Sequence, residues 1–311
     1  MKKTVYLLLC LTLLLPLLSS CAETPLTMGL GVVVSTSSSE AEISVTAAAV
    51  TLKTNGRIVD CQIDTLSSSA SVENGELILP TSYKTKGELG DDYNMALYGN
   101  ARAEWYEQRN AFCDFARGKT LEQIKTAVNT AGNAIDPGLA ASCTINVDAF
   151  LKALARACKD AKETNAKKGD ALSLAFYTKD GGSAFGADGG KYAISCNVGA
   201  FTVRDGKITA SRIDAAEVSV ALKADGTPTS QAPQLTKRQK GDDYGMKTQN
   251  PTALAEWYVQ VDAFEIYVCG KTEAQILGIE GTDGKTTDGE LKAFCTIEIS
   301  DFCRLVDRVF Q

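Results

Sequence analysis

Two pairs of apolar-rich runs along the chain are each interrupted by a short turn signal. The first pair is Ile43 to Leu52 and Arg57 to Ile63, separated by Asn55-Gly56. The second pair is Ile194 to Val203 and Lys207 to Ile213, separated by Asp205-Gly206. Asn-Gly and Asp-Gly between strand-like runs favour a type I′ turn, which needs positive φ at both central residues. Each pair therefore predicts a β-hairpin.

Helical spacing of apolar residues follows each predicted hairpin. In the later segment the stripe is Ala253, Trp257, Val261, Phe264 and Val268, and in the earlier one it is Ala101, Trp105, Arg109, Phe112 and Ala116. Such spacing indicates a helix with one buried face. Asn250 followed by Pro251 predicts the N-cap and first position of the later helix. The tryptophans could stack on a planar ligand, but their place on the stripe favours core packing.

Shorter signals predict the remaining helices. Thr120-x-x-Gln123 and Thr272-x-x-Gln275 have the form of capping boxes, in which the threonine and glutamine side chains each bond to the other's backbone N–H. A last helix is expected to begin near Asp148 in one segment and near Ser300 in the other.

The chain contains the same block twice. Gly90-Asp91-Asp92-Tyr93 returns as Gly241-Asp242-Asp243-Tyr244, and residues 104–124 share 11 of 21 positions with residues 256–276 in a gapless pairing. The offset of about 150 residues is the size of one ordinary domain. We therefore expect an α+β protein of two tandem homologous domains, 43–165 and 170–311, each a hairpin-led antiparallel sheet packed with helices. Their junction is expected around Lys162 to Asp170.

The first residues have the pattern of a bacterial lipoprotein signal. Lys2 and Lys3 precede an apolar run from Val5 to Leu18, and small residues stand directly before Cys21. Residues 1–20 are thus predicted to be a signal peptide, Cys21 the acylated residue, and 21–42 a tether and loop. The alternative is an ordinary signal peptide that contains a cysteine. The prediction places the protein at the cell membrane, lipid-anchored on its extracytoplasmic face.

Composition restricts the partners and the chemistry. Removal of residues 1–20 leaves 30 basic and 38 acidic residues, a net charge of −8. A negative net charge argues against a nucleic-acid partner and against electrostatic adhesion of the body to anionic lipid. Histidine is absent, which excludes Ser-His-Asp and Cys-His catalysis and the HExxH zinc site. We identify no catalytic residue and no metal ligand set.

Eight cysteines remain after Cys10 and Cys21. They are Cys61, Cys113, Cys143, Cys158, Cys196, Cys269, Cys295 and Cys303. They form no CxxC motif, and only Cys143 and Cys295 stand at equivalent places in the repeat. Buried free thiols are the favoured interpretation, although an even number in an exported protein keeps disulfides open.

The repeated Gly-Asp-Asp-Tyr loop is the first candidate for ligand recognition. Its acids and tyrosine are Asp91, Asp92 and Tyr93 in the first copy and Asp242, Asp243 and Tyr244 in the second. Paired carboxylates could hold a cation or a ligand hydroxyl, but acids beside a glycine suit an ordinary loop equally well.

Lys119 and Lys271 are further candidates, because each stands where one predicted helix ends and another begins. A helix N-terminus with a lysine beside it can hold a phosphate or carboxylate. Simple helix capping by the following threonine is the favoured alternative.

Several of these motifs together resemble a known family. The Asp-Gly-Lys-Ile hairpin, Lys-Gly-Asp-Asp-Tyr-Gly-Met, Glu-Trp-x-x-Gln and Cys-Thr-Ile are similar to exported lipoproteins of Gram-positive anaerobes, whose repeats are distantly similar to the FMN-binding domain. In that domain a Ser-Gly-Ala-Thr segment carries FMN on its threonine. The resemblance places Thr144 and Thr296 at that position, although the glycine of the segment is replaced here.

These observations lead to one functional expectation and two alternatives. We expect a lipid-anchored protein of two FMN-binding-like domains that binds an unidentified small or extended ligand without performing chemistry. The first alternative is extracytoplasmic electron transfer by FMN held at Thr144 or Thr296. The second is an envelope or partner-binding scaffold, in which two tethered copies raise avidity.

Overall fold

The structure, a computed structural model, describes residues 25–99, 101–229 and 231–311. The predicted signal peptide and Cys21 lie outside the described residues. Within those residues, no helix combines the length and the apolar character needed to cross a bilayer.

The first half of the molecule, residues 25–163, forms a five-stranded antiparallel sheet in the order β4-β3-β2-β1-β5 with six α-helices. Its strands are β1 (Thr27–Thr36), β2 (Ala41–Leu52), β3 (Ile58–Glu73), β4 (Glu76–Ile78) and β5 (Lys162–Glu163). Its helices are α1 (Lys86–Leu89), α2 (Met95–Tyr98), α3 (Trp105–Ala116), α4 (Leu121–Lys125), α5 (Pro137–Ala140) and α6 (Asp148–Lys159).

The second half, residues 171–311, repeats the order of three long strands followed by six helices and differs in the short strands. Its strands are β6 (Ala171–Asp180), β7 (Ala184–Gly186), β8 (Gly189–Arg204) and β9 (Lys207–Leu222). Strand β8 pairs with each of the other three, namely β6, β7 and β9. Its helices are α7 (Lys237–Lys240), α8 (Met246–Gln249), α9 (Trp257–Val268), α10 (Glu273–Leu277), α11 (Gly289–Lys292) and α12 (Ser300–Phe310). The Gly-Asp-Asp-Tyr loops, Gly90–Tyr93 and Gly241–Tyr244, are single 3-10 turns.

Both predicted hairpins are present, and their strands extend well beyond the predicted runs. The second turn has positive φ at Asp205 (53°) and Gly206 (71°), as a type I′ turn requires. In the first turn only Gly56 has positive φ (75°), and the loop closes through the Lys53 N–H and the Arg57 carbonyl at 2.9 Å. The predicted type I′ turn is therefore wrong for Asn55-Gly56, because one extra residue changes the loop.

The segment predicted as a tether and loop contains strand β1 of the first sheet. Strand β1 lies between β2 and β5 and buries Met28, Leu30 and Val32. The glycines between them allow the close approach of α6, since a Cβ at Gly29 would lie 1.9 Å from the Ala157 carbonyl oxygen. The alternation of apolar residues with glycine over 28–32 is typical of a strand, but it follows the predicted signal peptide so closely that it was assigned to the tether. The prediction of a tether and loop over 21–42 is therefore wrong for the residues of β1.

The two sheets pack face to face and share one core. Residues of β1, β2 and β3 join residues of β6, β8 and β9 in a single buried apolar cluster. A polar contact crosses this core, where the hydroxyls of Ser68 and Tyr192 lie 2.6 Å apart. The segments predicted as separate domains thus each contribute one sheet to a common β-sandwich.

Helices cover the two outer faces of the sandwich. Helices α3 and α6 close a second core on the first sheet, and α9 and α12 close a third on the second sheet. Trp105 and Trp257 are 3% and 4% exposed and pack edge-on against Phe150 and Phe302, as the stripe predicted. The layers are therefore helix, sheet, sheet and helix.

The helix boundaries agree with the sequence at the capping boxes and differ at Asn250. Thr120 with Gln123, and Thr272 with Gln275, form the predicted boxes. Helix α9 begins at Trp257 rather than after Asn250. The Asn250 side chain accepts from the backbone N–H of Thr252 at 3.1 Å, so it closes a local turn and the predicted N-cap is wrong.

The eight cysteines of the described residues are free thiols, and six of them are buried. Burial raises the pKa of Cys143, Cys158 and Cys295 to about 11. Thiols held in this protonated form are poor nucleophiles.

Candidate ligand groove

A buried glutamine connects the long helix of each half to the segment before the last helix. The Gln260 Oε1 accepts hydrogen bonds from the backbone N–H of Thr296 at 2.8 Å and from its hydroxyl at 3.1 Å. Gln108 makes the same two bonds to Thr144, at 2.8 and 3.0 Å. Both threonine hydroxyls predicted as flavin attachment points therefore donate to a buried amide.

A glutamate just before each long helix caps a neighbouring helix. The Glu256 carboxylate accepts from the backbone N–H groups of Met246 (2.9 Å) and Lys247 (3.1 Å), which start α8. Glu104 makes the equivalent two bonds to the start of α2. The repeated Glu-Trp-x-x-Gln motif is thus a scaffold, in which glutamate, tryptophan and glutamine each fix one neighbouring element.

Each Gly-Asp-Asp-Tyr loop is held to the long helix through its first acid. The Tyr258 hydroxyl donates to Asp242 Oδ1 at 3.0 Å, and this bond raises the pKa of the phenol. In the first half, the hydrogen bond between Tyr106 and Asp91 raises the pKa of Tyr106 in the same way. The second acids, Asp92 and Asp243, are exposed.

The two candidate lysines contact the helix that precedes them. Lys119 Nζ donates to the Phe115 carbonyl oxygen at 2.7 Å and lies 3.9 Å from the centroid of that ring. Lys271 Nζ lies 3.8 Å from the centroid of the Tyr267 ring. These are contacts of a helix C-terminus, where a cation is favourable, and neither lysine lines the groove described next.

A groove of about 700 Å³ in the second half brings Tyr244 and Thr296 together. It lies between the second sheet and helices α7, α8, α9 and α12. Three cationic and three anionic side chains line it, namely Lys179, Lys237 and Lys285 with Glu217, Glu298 and Asp301. Two candidate segments that are 52 residues apart in the chain therefore meet at one charged surface.

One end of the groove is an ion pair held against aromatic rings. Lys237 Nζ lies 2.7 Å from Glu217 Oε1, and its side chain is 15% exposed. The ammonium also lies 5.0 Å from the ring centroid of Tyr244 and 5.3 Å from that of Trp257. Burial alone would lower the pKa of Lys237, but the Glu217 carboxylate outweighs it, so the pKa is raised.

A second polar cluster lies where α12 begins. Asp301 accepts from Lys179 Nζ at 2.9 Å and from Asn197 Nδ2 at 3.0 Å. The three side chains come from β6, β8 and α12, so the sheet register and the helix position together create this cluster.

The first half has the same scaffold without most of these charges. The strand pairing identifies the first-half counterparts of two groove residues. Ser44 pairs with Ser35 and Ser67 in the first sheet. In the second sheet Ser195 pairs with Lys179 and Glu217 in the same way. Lys179 and Glu217 thus correspond to serines. The remaining counterparts, from the repeat pairing, are Lys86 for Lys237, Asn133 for Lys285, Asn146 for Glu298 and Ala149 for Asp301. Only one of the six charged positions is charged in both halves.

The groove does not provide the surfaces that a covalently held flavin needs. Trp257 packs against Phe302 with ring centroids 6.2 Å apart, and the Lys237 ammonium lies over the same indole. Buried rings offer no platform for an isoalloxazine to stack on. The Thr296 hydroxyl is bonded to Gln260, and the Gly-Ala pair of the flavin motif is replaced by Phe-Cys. The residues present do not fit a covalent flavin.

Sequence reasoning missed the residues that build the scaffold and those that charge the groove. Besides the glutamine and glutamate, Asp64 accepts from the Thr85 hydroxyl at 2.7 Å, and Asp214 accepts from the Arg238 backbone N–H at 3.1 Å. Burial raises the pKa of both carboxyls. Asp64 and Asp214 are the same residue at equivalent positions of the repeat, and this identity could have revealed their structural role from the sequence. Lys179, Glu217 and Asp301 gave no such signal, because they are not repeated.

Comparison of the chain with protein-family models, with curated proteins and with solved structures finds no match. The function of the protein is therefore inferred from the geometry of the groove and from the sequence.

Proposed function

We propose that the protein is a lipid-anchored extracytoplasmic binding protein, which holds a small or extended polar ligand in the groove of its second half and performs no chemistry by itself. The observation that carries the proposal is the meeting of Tyr244, Thr296 and six charged side chains around about 700 Å³. Ligand sites in proteins commonly have volumes of roughly 300–1,000 Å³ and a few convergent polar groups.

The lining favours a ligand that carries charges of both signs. Lys237 with Glu217 and Lys179 with Asp301 are ion pairs already formed in the protein. A ligand of one sign would leave half of each pair without a partner, at an energetic cost. A zwitterionic ligand, such as an amino acid or a peptide, can form an ion pair with both the cationic and the anionic member of such a pair.

The two halves are, in this proposal, copies of one FMN-binding-like domain. Support comes from the 11 identities in 21 positions and from the same order of hairpin, capped loop, long helix and last helix. The copies have diverged in charge rather than in scaffold. The residues that line the groove do not favour a bound flavin. We therefore expect the purified protein to show no flavin absorbance.

The shared core also bears on the scaffold alternative. Avidity by tethering requires two modules that move independently on a linker. Here both sheets belong to one apolar cluster, and β5 in the connection pairs with β1. The two halves therefore act as one rigid unit in the proposed binding role.

Filling the groove tests the proposal. Ala253 lines the groove, and Ala101 is its counterpart in the first half. Small molecules released by acid from the purified mature chain are identified by mass spectrometry for Ala253→Trp, Ala101→Trp and the wild type. We expect a molecule that the wild type and Ala101→Trp retain and Ala253→Trp loses. Equal retention by both variants would exclude the groove as the site.

The membrane anchor is tested separately. Metabolic labelling with a radioactive fatty acid is expected to mark the wild-type chain and not Cys21→Ser. Label that persists in the serine variant would show that Cys21 is not the acylated residue.

A further inference from the structure

The chain enters the folded body at the same end as the first hairpin turn. Thr27 is paired with Leu52, which directly precedes the turn at 53–57, and with Glu163 of β5. The Leu26 backbone N–H donates to the Ala166 carbonyl oxygen at 3.0 Å. The loop after β5 therefore starts at this end as well.

That loop continues to the second hairpin turn. Asp170 Oδ1 lies 3.2 Å from Arg204 NH1, and Arg204 is paired with Lys207 across the turn. Each turn also contacts the segment after a long helix, through bridges between Arg57 and Thr120 and between Lys207 and Thr272. Five segments thus form one end of the sandwich, which we name the entry end: 53–57, 117–120, 162–170, 204–207 and 270–272.

The entry end is basic, and the far end is acidic. The five entry-end segments contain ten basic and three acidic residues. Neighbouring acids pair with two of the basic residues: Asp60 and Asp114 with Arg117, and Asp262 with Lys162 at 3.5 Å. At the other end of the strands, segments 37–40, 73–76, 180–189 and 223–227 contain six acidic residues and one basic residue. The charge of the body is therefore separated along the strand axis. The expectation from the negative net charge, that anionic lipid does not attract the body, does not apply to the entry end.

We propose that the entry end lies against the headgroups of an anionic phospholipid bilayer, with the groove and the acidic end held away from it. This inference rests on the proposed acylation of Cys21 for the position of the membrane. Three residues separate Cys21 from Pro25, and the four Cα-to-Cα steps between them span at most about 3.6 Å each, or about 14 Å in total. Surface charges act over roughly 8–10 Å at physiological salt, so the short tether keeps the basic end within reach of anionic lipid.

Vesicle binding by an unacylated chain tests this surface directly. The mature chain with Cys21→Ser is mixed with vesicles of phosphatidylcholine containing about one third phosphatidylglycerol, and the bound fraction is measured by sedimentation. We expect salt-sensitive binding that is absent with phosphatidylcholine alone. The variant Lys53→Glu, Lys168→Glu, Lys207→Glu, changed at exposed entry-end lysines, should bind roughly tenfold more weakly or worse.

A matched variant controls for net charge. Lys84→Glu, Lys191→Glu, Lys223→Glu removes the same charge at exposed lysines outside the entry end and should change binding less than about twofold. Equal loss in both triple variants, or binding that does not depend on phosphatidylglycerol, would overturn the proposal. Circular dichroism confirms that each variant is folded. Because no acyl group is used, failure here is distinguishable from failure of Cys21 labelling or of ligand retention in the groove.

Discussion

The two halves of the molecule have the same scaffold and different surfaces. In each half a buried glutamine holds the segment before the last helix, and a glutamate caps the short helix before the long one. The positions that carry Lys179, Glu217 and Asp301 in the second half are Ser35, Ser67 and Ala149 in the first. The repeated glutamine and glutamate therefore stabilise the shared fold, whereas these three charges of the groove belong to the second half alone.

A second difference lies on the sheet side of the long helix. Glu265 in α9 is 5% exposed and pairs with Arg212 at 2.8 Å and with Arg238. Burial raises its pKa, although both arginines oppose that effect. The repeat pairing gives Cys113 as the first-half counterpart of Glu265. One half thus buries an ion network where the other buries a thiol.

The largest expected effect comes from breaking this network. Glu265→Ala removes the buried carboxylate that both arginines contact and leaves them with the more exposed carboxylate of Asp262. It should lower the free energy of unfolding by about 3–5 kcal/mol. Cys113→Ala removes only a small apolar group and should lower it by about 1 kcal/mol. Urea unfolding of both variants measures the difference, and equal losses would mean that the network has no special role in stability.

The glutamines should show the opposite behaviour, with equal effects in the two halves. Gln108→Ala and Gln260→Ala each leave the N–H and hydroxyl of a threonine without an acceptor, so each should lower the free energy of unfolding by about 2–3 kcal/mol. The same urea titrations provide the measurement. A loss confined to one variant would show that the scaffold has diverged together with the groove.

A smaller effect should depend on pH and be confined to the second half. The folded-state pKa of Lys237 is raised, so its contribution is complete below the unfolded pKa of about 10.4 and is lost as pH rises through the folded value. Lys237→Met should therefore lower stability by about 1 kcal/mol at neutral pH, and the gap to the wild type should narrow at alkaline pH. Unfolding free energies measured across that range test the sign. A gap that widens with pH would contradict the assignment.

Local signals in the sequence were sufficient for the local structure. The Asp205-Gly206 turn, the capping boxes at Thr120 and Thr272 and the burial of Trp257 each depend on residues a few positions apart. Strand β1 was not predicted, because the need for its alternating glycines arises from the close packing of α6 against them, which is a long-range contact.

Long-range contacts account for the rest. The packing of one sheet on the other joins residues more than 100 positions apart, as Ser68 and Tyr192 show. The groove has the same origin, since Lys179 and Asp301 are 122 positions apart and neither belongs to a motif. Of the candidates named from sequence, Tyr244 and Thr296 line the groove, whereas Lys119 and Lys271 contact helix C-termini.

In the proposed function only the second half holds a ligand, and the two equivalent lysines distinguish the halves. Lys237 and Lys86 occupy equivalent positions, each over a tyrosine and a tryptophan ring, but only Lys237 has Glu217 beside it in the groove. Native mass spectrometry of the purified mature chain measures the ligand-bound fraction of the wild type, Lys237→Met and Lys86→Met. We predict that Lys237→Met loses the bound molecule and Lys86→Met retains it at the wild-type level. Loss of the bound molecule in Lys86→Met with retention in Lys237→Met would show that the second half does not hold the ligand.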